Sequence, residues 1–412
     1  MSDSTTRKKP VVLVYAEPLL ASSMTFIRTQ AEALSCFSPH YISPHYLRDG
    51  LALPEERVVV MRRGQGTISQ LSEVPFKVLG LAPLFLRRLK KLRPVLLHAH
   101  FGFVGLRALP IARALGIPLL VTFHGCDATL SDEFFRTNRF YSGRVYLRRR
   151  GVLNERAILL IAVSNFIREE MIRQGFSASK IAVHYIGVDT NLFCPDASVK
   201  REPIVLFTGR LDEVKGCSYL IRAMARLQSI LPQVELVLIG DGSLRPELEQ
   251  LAAEKLRKYR FLGFQPPEVV KHWMNRAAVF AMPSVRTPCG SEEGLPTVSL
   301  EAQAMRLPVV SFASGGIPEA VAHGVTGFLA PERDTEALTS NLRRLLVDPS
   351  LSARMGEEAR ERACTQFNVR TQTRKLEELY KQALGKDSNP FAWSGQTETE
   401  IGGTVAALDA QG

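Results

Sequence analysis

Arg210 and Lys215 stand five residues apart in Gly209-Arg210-Leu211-Asp212-Glu213-Val214-Lys215-Gly216, directly after the apolar stretch 204–208. A glycine turn at a strand exit, two cations and a helical pattern from Tyr219 onward suit a pyrophosphate, because helix N-termini offer unpaired N–H groups to anions. Solvated loop charges are the competing reading. Glu293 and Glu301 form a second cluster, in Glu292-Glu293-Gly294-Leu295-Pro296-Thr297-Val298-Ser299-Leu300-Glu301. Pro296 fits the first position of a helix, where a missing N–H costs nothing. Two carboxylates there suit sugar hydroxyls. The alternative for Glu293 is favourable charge near a helix N-terminus, about 0.3–1 kcal/mol.

Other strand exits carry weaker signals. Gly240-Asp241-Gly242-Ser243 and Ser314-Gly315-Gly316-Ile317-Pro318-Glu319 fit nucleotide pockets or ordinary turns and caps, and neither completes a G-x-G-x-x-G fingerprint. His124, in Thr122-Phe123-His124-Gly125-Cys126-Asp127, ends an apolar run beside a flexible turn, where an imidazole reaches into a cleft or serves as a structural cap. The pair His98/His100 is spaced like metal ligands, but no further ligand cluster accompanies it, so a structural role is expected. There is no Asp-x-Asp triplet for a metal–diphosphate, no G-x-S-x-G elbow and no Walker A loop. Hydrolase and P-loop readings lose their support.

The elements that must hold these residues alternate. Short apolar runs at 11–15, 95–99, 118–123 and 158–163, then at 204–208, 234–239, 279–282 and 308–311, are separated by amphipathic segments. Continuous apolarity predicts parallel strands covered on both faces, hence βαβ units and open sheets. The pattern breaks at 189–203, which predicts a linker between two α/β domains, 1–195 and 196–366. From 385 to 412 the composition turns to Gly, Ser, Thr, Gln and Ala, and a disordered tail is expected.

The 412 residues carry a net charge of +11. Residues 1–195 hold 26 Lys and Arg against 14 Asp and Glu, whereas 196–412 hold 26 against 27. The excess lies wholly in the first half, chiefly in two basic stretches rich in apolar and aromatic residues, 76–93 and 134–150. Such segments suit an anionic membrane surface or form core-facing helices with a solvated basic face. No apolar run approaches the roughly 20 residues of a membrane span, and the six cysteines show no CxxC spacing, which fits a reducing compartment.

Taken together, His124, Gly209-Arg210…Lys215-Gly216, Gly240-Asp241-Gly242 and Glu293-x7-Glu301 resemble glycosyltransferase family 4, the retaining enzymes of GT-B fold, over about residues 11–380. The resemblance implies two Rossmann-like domains with parallel sheets facing an interdomain cleft, the acceptor mostly on the first domain and a nucleotide diphosphate-sugar on the second. It implies that Arg210 and Lys215 bind the donor diphosphate. Glu293 would contact the transferred sugar and Glu301 the ribose. Gly294, Leu295 and Thr297 would complete the phosphate cradle with their N–H groups, beside Gly209 and Gly240, while Phe264 flanks the base. His124 would meet the donor sugar from the opposite domain, and the helical stretch 367–384 would cross back onto the first domain.

Ser22-Ser23-Met24-Thr25 and His98-Ala99-His100-Phe101-Gly102 more narrowly resemble bacterial exopolysaccharide transferases of the colanic acid or amylovoran type. That places Ser22, Ser23 and Asp127 on the acceptor side. Met24 stands where relatives carry an acidic residue, and Leu20-Ala21-Ser22-Ser23 replaces their Gly-rich loop. The expectation is a cytoplasmic hexosyltransferase, peripheral at the inner face of the membrane, needing neither metal nor cofactor. Its acceptor would be a glycan or a polyprenyl-diphosphate-linked oligosaccharide. The alternatives are a soluble acceptor, a silent nucleotide-sugar binder, or a nucleic-acid-binding protein; the neutral second half and the lack of a nucleic-acid motif argue against the last.

Overall fold

The computed structural model describes residues 9–47, 50–62, 82–137 and 141–385. Residues 386–412 of the expected tail, with 76–81 and 138–140 of the basic stretches, lie outside the described residues.

Two parallel sheets organise the chain. The first contains β1 (Val11–Tyr15), β2 (Ser38–His45), β3 (Val58–Arg62), β4 (Pro94–His100), β5 (Leu119–Phe123), β6 (Leu159–Ala162) and β7 (Ile181–Val183), in the order β3-β2-β1-β4-β5-β6-β7. The second contains β8 (Ile204–Thr208), β9 (Glu235–Ile239), β10 (Tyr259–Phe261), β11 (Val279–Met282), β12 (Val309–Phe312) and β13 (Gly327–Ala330), in the order β10-β9-β8-β11-β12-β13. Strand order reverses beside β1 and β8, and ligands of such sheets bind beyond the strand ends near that reversal. The strand residues are apolar on both faces because helices cover both, so Leu13, Leu97, Val121, Leu206, Leu238 and Val310 are fully buried.

The chain crosses between the sheets twice, and the crossings are pinned together. Val188 N–H donates to Phe367 O at 2.7 Å, and Val369 N–H donates back to Val188 O at 2.9 Å. The Arg360 guanidinium gathers the carbonyls of Thr190, Phe193 and Ala304. The last helix, Val369–Gly385, then lies on the first sheet: Leu376, Tyr380 and Ala383 pack with Val12, Leu96, Leu120 and Ile161. Glu377 fixes it by accepting the N–H groups of Ser35 (2.7 Å) and Cys36 (2.6 Å).

Candidate active site

At the exits of β8 and β9 two glycines lie side by side. Gly209 N–H donates to Ile239 O at 3.0 Å, and Gly240 N–H donates to Gly263 O at 2.8 Å. Gly240 has φ +136°, and a Cβ there would fall 1.9 Å from Gly209 O, so only glycine lets the exits approach. The loop this frees carries Arg210, whose side chain is 69% exposed and 3.3 Å from Asp212. Burial raises the Asp212 carboxyl, with Arg210 and Lys215 opposing, and its Oδ1 has no hydrogen-bond partner among the described residues.

Lys215 ends the short turn Glu213–Lys215 and places Nζ 2.6 Å from Oε1 of Glu293. Both side chains are mostly enclosed, at 15% and 12% exposure, and Ser284 Oγ donates to the same oxygen at 3.3 Å. The Glu293 loop is held from behind, since Gly316 N–H donates to Glu293 O at 2.9 Å. Across the cleft it meets the first sheet's loops directly. A Cβ on Gly294 would lie 1.9 Å from His124 O, and Ser131 N–H donates to Cys289 O at 3.0 Å. In the His124 loop burial pushes the Cys126 thiol up to about 12, with the Asp127 charge adding to the rise and the Arg210 charge opposing it.

The structure thus brings Arg210, Lys215, Glu293 and His124 around one cleft, with Gly209, Gly240 and Gly294 permitting the close approaches. Leu295 is buried, and the N–H groups of Gly294, Leu295 and Thr297 find no acceptor among the described residues. The helix begins at Thr297 (Thr297–Ala304), so Pro296 is its N-cap and not its first helical residue; ψ of 95° leaves its backbone outside the helix. Glu301, on that helix, has no side-chain partner among the described residues, and burial pushes its carboxyl up to about 8. Phe264 follows Gly263 at the next strand exit and is 64% exposed. Glu301 and Phe264 make no hydrogen bond or ion pair with the Lys215–Glu293 pair.

On the other wall, Ser22 is half-buried and Ser23 exposed, just before the helix Thr25–Glu32. Phe26 of that helix packs 4.9 Å from the His124 ring, and Phe101 packs at 4.8 Å. Asp127 requires a correction. It is fully buried, and its carboxylate accepts the N–H groups of Gly102 (2.8 Å), His124 (3.0 Å) and Gly125 (2.9 Å), so it holds the His124 turn and faces no acceptor.

Two contacts, of residues the sequence reads as structural or as part of an ordinary strand exit, escaped the sequence reading. His100 Nδ1 lies 3.0 Å from His124 Nε2. Glu319, from the second sheet's side, accepts Asn165 N–H and Phe166 N–H at 2.8 Å each and the Tyr185 hydroxyl at 2.9 Å, all from the first. Only the strand register and the docking of the two sheets reveal these contacts.

Comparison with known proteins agrees with this fold. Residues 37–192 match the family described as Glycosyltransferase Family 4, and residues 191–362 match Glycosyl transferases group 1. The amylovoran biosynthesis glycosyltransferase AmsK of Erwinia amylovora is 32% identical over 288 residues, 68% of each chain. The chain belongs to glycosyltransferase family 4. A putative colanic acid biosynthesis glycosyltransferase, WcaL of Escherichia coli K12, is also 32% identical, over 68% of this chain and 69% of its own. Among solved structures, sucrose-phosphate synthase from Thermosynechococcus elongatus superposes with a TM-score of 0.71 at 22% identity, covering 91% of this chain and 99% of its own. HepE of Anabaena, in complex with UDP and glucose, gives 0.70 at 23% identity, covering 91% and 100%. These likenesses show the GT-B fold, two facing Rossmann-like units.

Proposed function

We propose that this family 4 enzyme moves a hexose from a nucleotide diphosphate-sugar to an acceptor hydroxyl with retention of configuration and without a required metal. The observation that carries the proposal is the enclosed Lys215–Glu293 pair at 2.6 Å, beside exposed Arg210 and opposite His124. Two cations, the enclosed Lys215 and the exposed Arg210, supply the charge that a departing diphosphate needs. In the reaction the bond from the sugar's anomeric carbon to the diphosphate oxygen breaks, and a bond to the acceptor oxygen forms. The acceptor's proton passes to the departing diphosphate. Glu293, oriented by Lys215 and Ser284, holds sugar hydroxyls. Glu301 takes the ribose, Phe264 flanks the base, and the free N–H groups of Gly294, Leu295 and Thr297 hold phosphate oxygens.

The proposed acceptor is a glycan on a polyprenyl diphosphate at the cytoplasmic face of the membrane. Its support is a layer of neighbouring helices on the first sheet, Pro83–Lys91, Gly102–Leu115 and Tyr141–Arg156. Arg87, Lys90, Lys91, Arg144, Arg148 and Arg149 are exposed there, with Leu84 77% exposed among them. Basic side chains around an apolar tip suit anionic headgroups. Among the described residues no helix is long and apolar enough to cross a membrane.

The reading is tested by incubating the protein with UDP-, GDP- and dTDP-hexoses and a synthetic polyprenyl-diphosphate sugar. NMR then follows the anomeric configuration of the product. An α-donor should yield an α-linked product. Inverted product would overturn the retaining assignment. Transfer to a free glycoside as fast as to the lipid-linked one would favour a soluble acceptor.

A further inference from the structure

We infer that His100 is a positioning residue that fixes the tautomer and ring orientation of His124 at the reaction centre. The inference rests on the reading of His124 as the first wall's contact to the donor sugar. His100 is the last residue of β4 and pairs in register with Thr122 of β5, so His124, just beyond β5, comes to lie beside it. His100 Nδ1 and His124 Nε2 are 3.0 Å apart, with ring centroids 5.3 Å apart and nearly parallel. Two facing imidazole nitrogens bond only when one carries the proton and the other the lone pair. The two tautomers are therefore coupled: with His100 Nδ1 protonated the neutral His124 carries its proton on Nδ1, and with His100 Nδ1 bare it carries it on Nε2. Phe26 and Phe101 stop the ring from turning away.

The other nitrogen of His124, Nδ1, is buried and has no hydrogen-bond partner among the described residues, so it is the ring nitrogen left for a donor-sugar oxygen to satisfy. Behind His100 the arrangement continues. His98 stacks on it at 4.3 Å and is held at both nitrogens, by Tyr380 Oη and Thr122 Oγ1, each at 2.7 Å. A residue of the last helix, which returns from the second sheet, thus ends a row of imidazoles leading to the cleft. Burial keeps all three rings below the ordinary histidine range, so they serve as oriented neutral dipoles.

The test compares His100→Leu, His100→Asn and His124→Ala in the full chain. Asparagine keeps an amide near the Nδ1 position, whereas leucine keeps only bulk. The readouts are nucleoside diphosphate release with a competent donor and nitrogen-15 NMR of the imidazoles. His100→Leu should lower kcat by about 10- to 100-fold while donor KM changes less than about threefold, the scale of a misplaced reacting group. The His124 nitrogens should change from one tautomer to a mixture, and His100→Asn should recover most of kcat. A folded His100→Leu with unchanged kcat and a single tautomer overturns the inference. If leucine prevents folding, His100→Asn decides: rates as low as those of His124→Ala overturn it. Wild-type transfer by His124→Ala would instead remove the underlying reading of His124, while the NMR comparison still judges the His100 contact.

Discussion

Nζ of Lys215 lies 2.6 Å from Oε1 of Glu293, joining the loop after β8 to the loop after β11 inside a largely enclosed pair. Removing either partner leaves the other charge without compensation in a site of low exposure.

Lys215→Ala and Glu293→Ala are therefore expected to lower transfer by about 100- to 1,000-fold while the protein stays folded. The two should differ in binding: Lys215→Ala weakens donor affinity, whereas Glu293→Ala retains it within about tenfold. Nucleoside diphosphate release and calorimetric titration with the donor check both. Equal loss of affinity in both variants would show that Glu293 acts on the diphosphate and not on the sugar.

Asp127 predicts a different signature. Its buried carboxylate satisfies three backbone N–H groups, and burial raises its pKa against their stabilising effect. Asp127→Ala should destabilise the chain by about 1–3 kcal/mol, the cost of leaving buried donors unsatisfied, and should lower kcat through the displaced His124 turn. Urea unfolding followed by steady-state kinetics checks this. A change confined to acceptor KM would restore the acceptor-side assignment that the geometry removes.

Glu319 ties the second sheet's side to the first beside the Glu293 loop, and this tie is predicted to couple closure of the cleft to that loop. Its carboxylate sits on the start of the helix Asn165–Arg173, while Gly316, three residues earlier, supports Glu293 O. That helix keeps its own cap, because Ser164 Oγ accepts Ile167 N–H at 3.1 Å. Glu319→Ala should thus leave the fold intact, increase the radius of gyration in small-angle scattering and reduce kcat. An unchanged radius with wild-type kcat would contradict the coupling.

Acidification should destabilise the protein. Burial holds His98, His100, His124 and His184 below the ordinary range, His124 down to about 3. Unfolded, they titrate near the ordinary value of about 6.5. Below that pH the unfolded chain binds more protons, so the stability they confer is present above about 6.5 and lost as pH falls. Glu301 acts oppositely: its folded carboxyl, near 8, is protonated where the unfolded one is not, so its contribution is lost as pH rises through 8. The Asp127, Asp212 and Glu292 carboxyls, also raised by burial, act with Glu301, while the lowered Glu377 carboxyl acts with the imidazoles. Four imidazoles that take up protons on unfolding are expected to dominate between pH 7 and pH 5, and the thermal midpoint should fall over that range. Glu301→Gln should flatten the decline between pH 7 and 8. A midpoint that rises on acidification would contradict this account.

The parallel sheets and the glycine-marked strand exits were legible because their signals are local. The apolar runs of β1, β4, β8, β9 and β11, and Gly209 to Gly216, carry their meaning in consecutive residues. β2 was not legible: Ser38-Pro39-His40-Tyr41-Ile42-Ser43-Pro44-His45 has two prolines and polar alternation, which argue against a buried strand. The sheet nevertheless accepts it, with Pro39 opposite Val12. Asp127 read as an acceptor contact because its burial depends on Gly102, 25 residues earlier. His100 read as structural because its partner lies on the next strand. Contacts set by register and by docking leave no periodic trace in one sequence.

The central claim, that this cleft binds a nucleotide diphosphate-sugar through Arg210 and Lys215, is tested most directly by calorimetric titration of the purified protein with UDP-, GDP- and dTDP-hexoses, alongside the double variant Arg210→Ala/Lys215→Ala. At least one donor should bind with one-to-one stoichiometry, compete with its own nucleoside diphosphate and lose more than about tenfold affinity in the double variant. Absence of binding by every donor, or equal affinity in the variant, would contradict the account.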